Sequence, residues 1–380
     1  MSAESMEVSG DALQVVLAGW LVQREGWTPA QAVQEHGVDP LLAACEREGV
    51  VSLVYARLSA MEPSHPASPE LMQALAARAR QCAARSLLCV SEARKVQRAL
   101  AAASIPAIWL KGIALGQWLY PSMHLRDVAD IDLLLPDHVT TLRAAELLAP
   151  LGYALPNPHI AGDLVVHELL AWSARAQLEL DLHWDLSNNA LFANRLDWQR
   201  LHGGARALPA LGEGARGLCA TDALLHACMH RAVNHLTRRE NRLRWLYDIH
   251  LLWTGLAPEE QTQAIASAIN ARLADPLLGA LLACATRFDT MIDDARLTQL
   301  REAAAREPLK SDRLRSWSYL QRATLRSLRG GTRLRWMRQL LLPDLAHLQL
   351  RYGADGAGRL SVLGRRLRDG YARWRGYVAS

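Results

Sequence analysis

The chain has 380 residues, of which 50% are hydrophobic and 21% charged, with a formal net charge of +5. This balance excludes wholesale disorder, and the length suffices for a substantial core divided among two or three subdomains. No uninterrupted apolar run reaches the roughly 18–20 residues of a membrane span, and residues 1–10 carry Glu4 and Glu7 with no basic residue, unlike the start of a secretory leader.

Residues 1–103 read as an N-terminal helical region. Apolar positions recur through Leu13, Val16 and Leu17, then Leu41 and Leu42, then Val51, Val54 and Leu58. Three prolines between Glu62 and Pro69 mark a loop, after which a long helix is predicted from Pro69 to Ala103. The character changes at Ile105. Pro106 to Leu110 reads as a short strand leading through Lys111-Gly112 into a helix that ends near Leu119. Tyr120 to Asp127 is a loop, and Val128 to Leu135 is an apolar run that reads as a buried strand containing Asp130 and Asp132. A helix from His138 to Leu151 is closed by Gly152. Leu164–Trp172 and Gln177–Trp184 resemble two strands joined near Ala174-Arg175.

Residues 104–200 therefore form an α+β core with a small mixed sheet, and residues 201–380 form a second helical region with an Arg-rich end. Its first helix is expected to be capped by Thr221, with Asp222 favourable against the N-terminal dipole. Residues 311–380 hold 15 Arg against 4 Asp, a net of +11 that leaves −6 for the rest of the chain. Such a basic end suits a solvated helix face or contact with nucleic acid, acidic lipid or acidic protein. No base-reading motif accompanies it, which favours the solvated face. The six cysteines (Cys45, Cys82, Cys89, Cys219, Cys228, Cys284) are scattered without a Cys-x-x-Cys pair and fit a reduced, cytoplasmic protein.

Three pieces carry chemistry. In a strand, Asp130 and Asp132 project from one side, and two such carboxylates on a core strand require a partner, solvent or a cation. Leu110-Lys111-Gly112 stands at a strand-to-helix turn, where a glycine permits close backbone approach to a phosphate and the helix start offers free N–H groups. In Leu178-Glu179-Leu180-Asp181-Leu182-His183-Trp184, alternation puts Glu179, Asp181 and His183 on one face. Three carboxylates can bind one or two Mg²⁺ ions, which prefer oxygen ligands. His226 and His230 have a spacing that can bind zinc, but no Glu follows His226, so a metalloprotease is excluded. Arg242, Arg244 and Asp248 fit either a cleft lining or an interhelical ion pair.

Taken in order, Leu-Lys-Gly, Arg-x-x-x-Asp-Ile-Asp-Leu-Leu and Leu-Asp-Leu-His-Trp resemble the nucleotidyltransferases of the DNA polymerase β superfamily, and within it a bacterial group of uncharacterised nucleotidyltransferases. Leu243-Arg244-Trp245-Leu246-Tyr247-Asp248-Ile249 resembles the helix that follows the core in that group. The resemblance implies that Asp130, Asp132 and Asp181 hold Mg²⁺ on the triphosphate of an NTP such as ATP, with Lys111, Gly112 and Arg126 at its phosphates. An acceptor hydroxyl attacks the α-phosphorus and pyrophosphate leaves. Gly112 is followed by Ile113, where the superfamily usually has Gly or Ser. Glu179 rivals Asp181 as third carboxylate, and Asp181 is favoured by its place just before Leu182-His183-Trp184. The acceptor stays open among a small molecule, a protein and a nucleic-acid end. Competing expectations are a catalytically silent scaffold of the same fold and a nucleic-acid binder acting through the basic C-terminal helices.

Overall fold

The computed structural model describes residues 3–24, 28–61, 68–155, 168–173, 176–187, 189–237, 239–328, 330–341, 358, 361–366 and 368–369. The chain opens with helices α1 (Ala3–Leu21), α2 (Pro29–His36), α3 (Val38–Glu48), α4 (Val51–Ser59) and α5 (Pro69–Ala102). The last of these starts where Ser68 accepts a hydrogen bond from the Leu71 N–H and Pro69 occupies the first turn, a position that needs no N–H donor. At 34 residues it is about 50 Å long, and it serves two cores. Leu71 and Leu75 pack with the neighbouring helices, while Cys89, Val96 and Leu100 pack under the sheet.

The α+β core follows: β1 (Ile108–Trp109), α6 (Lys111–Leu115), β2 (Ile131–Leu134), α7 (His138–Leu148), β3 (Tyr153–Ala154), β4 (Glu168–Ser173) and β5 (Leu178–His183). After α8 (Trp198–Gly203) come two further strands, β6 (Arg206–Ala207) and β7 (Arg216–Gly217). Together they form one mixed sheet in the order β3-β4-β5-β2-β1-β7-β6. The pairs β2/β5 and β1/β7 are parallel and the others antiparallel. The α+β class with helical flanks thus holds. The sheet, however, draws β6 and β7 from a stretch expected to be helical, because two-residue strands leave no periodic signal. The predicted strand segment Leu164–His167, the turn at Ala174-Arg175 and the loop at 62–67 lie outside the described residues.

Chain alternation divides the sheet into two faces. Ile131 and Leu133 of β2 and Leu178, Leu180 and Leu182 of β5 pack on α5 and α7, with Trp109 buried among them and its indole N–H donating to Gln97 at 2.9 Å. The next residues along each strand, Asp132 on β2 and Asp181 and His183 on β5, therefore face the other way. Beside that face stand α9 (Ala220–Val233) and α10 (Leu243–Thr254), which reach Lys111 through His226, His230 and Trp245; the chain continues through α11 (Pro258–Ala271), α12 (Ala274–Phe288), α13 (Asp294–Arg306), α14 (Trp317–Ser327) and α15 (Gly330–Leu341). The N-cap of α9 is Cys219 rather than Thr221, whose place is already inside the helix. Asp222 stands in its first turn as expected and accepts from the Cys219 thiol at 3.4 Å.

The two helical regions share one apolar core, in which Leu13, Leu17, Leu41 and Val54 pack in a cluster with Leu224, Leu246, Trp253 and Leu281. A buried carboxylate locks them together. Glu48, at the end of α3, accepts from the Leu243 N–H at 2.9 Å and from Gln14 of α1 at 3.1 Å, satisfying an otherwise orphaned donor at the start of α10. No described helix is long and apolar enough to cross a membrane.

Candidate metal and nucleotide site

Parallel pairing of β2 with β5 sets Asp132 directly beside Asp181, and Leu134 beside His183. On the face that carries them, one atom each from Asp132, Asp181 and His183 lies within 4.8 Å of the others, a spacing that can hold a metal ion. His183 Nε2 is 3.0 Å from Asp132 Oδ1, and the ammonium of Lys111 bonds the same oxygen. Asp132 is 1% exposed. Burial by itself would raise its pKa, but Lys111 and His183 outweigh that and hold the carboxyl well below its usual range. Asp132 is thus ionised throughout the physiological range and cannot act as a general acid. Lys111 shows the reciprocal effect. Desolvation works against its charge, and Asp132, with Asp130 and Asp181 behind it, raises its pKa above the ordinary lysine value.

The Lys-Gly turn has a shape that the sequence alone does not reveal. Lys111 opens α6 with φ at 48°, in the left-handed region that a lysine seldom adopts. Gly112 is buried, and a Cβ there would stand 3.2 Å from Arg126 Nη1 and 3.4 Å from Val128 Cγ2. The missing side chain therefore admits the guanidinium of Arg126 close to the start of α6.

Arg126 lies in a buried ion pair. Its Nε donates to Asp248 Oδ1 at 2.8 Å and its Nη2 to Oδ2 at 2.7 Å, the parallel two-bond geometry that suits a carboxylate. The Tyr120 hydroxyl adds a 2.6 Å bond to Oδ1. Asp248 is thus ion-paired with the loop residue Arg126 and also lines the space beside Lys111, and Lys111 is the cation in contact with Asp132.

Asp130 sits one residue ahead of β2, half-buried, rather than within the strand. Three arginines from separate elements fix the backbone that leads to it. Arg126 donates to the Asp127 carbonyl at 2.8 Å, Arg244 of α10 to the same carbonyl at 3.3 Å, and Arg85 of α5 to the Ala129 carbonyl at 2.8 Å. Burial and the nearby Arg126 and Arg242 push the Arg244 pKa down to about 10. Glu179, the rival carboxylate, is exposed and falls outside the metal-capable group, and so does Asp130, whereas Asp181 and His183 are inside it.

His226 and His230 close the far side of Lys111. Burial first, and then the Lys111 charge, push His226 down to about 3 and hold His230 well below the usual imidazole value. Both rings are neutral, and His230 packs edge-on against Trp245 with centroids 4.6 Å apart. Among the described residues no metal-capable cluster includes either of them. The space they enclose with Lys111, Arg126 and Asp248 is about 40 Å³, room for water and not for a nucleotide.

His183 is the residue that reading the motif left without a role, although its signal was present: alternation places it on the same face as Asp181. The parts played by Arg85 and Arg244 have no comparable signal, since each meets a backbone carbonyl far away in sequence.

A mixed sheet that sets two acidic side chains in register on parallel neighbours, beside a lysine at a helix start, is suited to binding a cation and a polyanion together. The chain matches, over residues 34–289, a family described as uncharacterised nucleotidyltransferase, and it belongs to that family. No curated protein and no solved structure matches it. By that membership the protein is classed as a nucleotidyltransferase.

Proposed function

We propose that the protein is a Mg²⁺-dependent enzyme that transfers a nucleoside monophosphate from an NTP, ATP among them, to an acceptor hydroxyl. The observation that carries this reading is the in-register pair Asp132/Asp181 with His183 at its end, the donor atoms lying within 4.8 Å of one another. The donor set fits a hard cation: Asp132 and Asp181 supply carboxylate oxygens, and half-buried Asp130 lies just ahead of β2. His183, bonded to Asp132 Oδ1, orients that carboxylate, as partners behind a metal ligand commonly do. A bound Mg²⁺ would neutralise charge on the triphosphate and on the departing pyrophosphate.

The chain's own residues account for the remaining requirements. Lys111 exchanges its bond with Asp132 for one with a phosphate oxygen, and the N–H groups that open α6 at Lys111 and Gly112 face the same charge. Arg126, pinned by Asp248, keeps this turn seated and contributes positive potential behind it. The acceptor oxygen forms a bond to the α-phosphorus as the bond between that phosphorus and the bridging β-phosphate oxygen breaks. The hydroxyl proton passes to a carboxylate, for which half-buried Asp181 is the best placed. The six cysteines are free, in keeping with a reducing cytoplasm.

The test is incubation of the full chain with each α-³²P-NTP, Mg²⁺ and cell extract. Label should move to an acceptor with the wild-type protein and not with Asp130→Ala combined with Asp132→Ala. Transfer that persists in the double variant would sink the mechanism, and isolation of the labelled product names the acceptor.

A further inference from the structure

A second cavity, of about 550 Å³, shares no lining residue with the acidic cluster. Its wall is formed by the loop that follows β5, the junction of α11 and α12, the segment after α13, and α14. Five arginines reach it from these elements, Arg195, Arg272, Arg313, Arg322 and Arg326, against one carboxylate, Glu307.

That carboxylate is occupied elsewhere. Glu307 accepts from the N–H groups of Ala274 at 2.8 Å and Asp275 at 3.1 Å, capping the start of α12. The hydrogen bonds and ring contacts of the arginines go to neutral groups, while the charge of Glu307 also acts on Arg195. Arg195 donates to the Leu191 carbonyl at 3.0 Å, Arg322 to the Ser318 carbonyl at 3.2 Å, and Arg313 lies over the Tyr319 ring at 5.0 Å. Among the described residues, Arg272 and Arg326 have neither a hydrogen-bonding nor an ion-pairing side-chain partner. Burial and then the charge of Arg272 act against protonation of Arg195, and Glu307 partly offsets them. Arg272, Arg313, Arg322 and Arg326 are exposed and Arg195 half-buried, so the hollow is open to solvent, and guanidinium groups have the planar geometry that matches phosphate oxygens. The rest of the wall mixes apolar groups, among them the buried Leu191 and Leu309, with Asn194, Tyr319 and Ser327. The volume is that of a small-molecule site.

We infer that this cavity is a second ligand site, for a small molecule carrying two or more phosphate groups. The phosphates sit on the guanidinium groups of Arg195, Arg272, Arg322 and Arg326, and the rest of the molecule lies against Leu309. The inference does not rest on the proposed transferase activity.

The test is calorimetric titration of the full chain with inorganic triphosphate in EDTA, so that no divalent ion at the acidic cluster can recruit the probe. Saturable binding of one equivalent is expected. Arg272→Gln combined with Arg326→Gln should weaken it at least about tenfold, and both side chains lack partners whose loss would unfold the chain. Arg301→Gln with Arg306→Gln, a charge-matched control on exposed positions of α13, should leave it unchanged. Three results overturn the inference: no binding of triphosphate, an equal loss in the control pair, or binding of a single-stranded oligonucleotide without binding of triphosphate. The last of these would make the surface a strand-binding one.

Discussion

Replacing Arg126 by Met removes the guanidinium that joins the loop before β2 to α10, and its cost follows from the geometry. Both side chains of the Arg126–Asp248 pair are about 5% exposed, at 6% and 5%. The variant leaves the Asp248 carboxylate buried, with the Tyr120 hydroxyl as its remaining hydrogen-bond donor among the described residues. Breaking a buried pair from one side in this way typically costs about 3–5 kcal/mol, because the stranded charge has lost its compensation. For a 380-residue chain that unfolds as one unit, the unfolding entropy is near 0.8 kcal/mol/K, so the expected fall in Tm is about 4–6 °C. Arg126→Met combined with Asp248→Leu removes both charges and should be less destabilised than Arg126→Met alone, since nothing charged is left without a partner. Thermal melts followed by circular dichroism, with urea titrations as a second measure, read both variants. A Tm drop under 1 °C for Arg126→Met, or a double variant that loses the full sum of the two single losses, would refute the idea that the pair is a coupled buried unit.

Lys111→Met should tighten Mg²⁺ binding roughly tenfold in the absence of nucleotide, because the ammonium no longer competes for Asp132 Oδ1; titration showing weaker binding would mean that Lys111 holds the carboxylate in place for the ion. Gly112→Ala pushes a methyl to 3.2 Å from Arg126 Nη1 and should cost about 1–3 kcal/mol by overpacking; the loss should shrink in the Arg126→Met background, and an unchanged loss there would place the clash elsewhere. Stability should also fall on acidification. The His226 pKa is depressed to about 3 in the folded protein, against about 6.5 when unfolded. Below pH 6.5 the unfolded chain therefore takes up a proton that the folded one refuses, which removes about 1.4 kcal/mol per pH unit per histidine down to pH 3. His230, depressed in the same sense, adds a second such slope. Melts between pH 7 and 5 should show His226→Asn with a shallower pH dependence than wild type, and identical slopes would contradict burial of a neutral ring.

Legibility in the sequence followed the range of each interaction. The alternation from Leu178 to His183 exposed its face pattern because a strand's period of two is written locally, and the structure buries Leu178, Leu180 and Leu182 while leaving Glu179 outward. Ser68 and Pro69 announced the start of α5 for the same reason. Nothing local marks β6 and β7, which exist because β1 offers β7 a parallel edge and β7 pairs with β6. The partnership of Arg126 with Asp248 spans 122 positions, and residue spacing carries no information at that distance. The resemblance between motifs set Asp130, Asp132 and Asp181 together; the pairing of β2 with β5 places Asp132 beside Asp181, with His183 rather than Asp130 in the metal-capable group. The bond from Lys111 to Asp132 depends on a positive φ that lysine does not advertise.

The apolar cluster shared by Leu17, Val54, Leu224 and Leu281 has a consequence for how the protein is made. Translation delivers the N-terminal helices long before the helices that cover them, so their apolar faces stay uncovered while most of the chain is synthesised. Contacts of such large sequence separation form slowly, and nascent chains with exposed apolar surface are prone to association and depend on chaperones. A ribosome stalled before α12 would hold a chain whose first helices lacked Leu281 and the rest of the cover that α12 supplies.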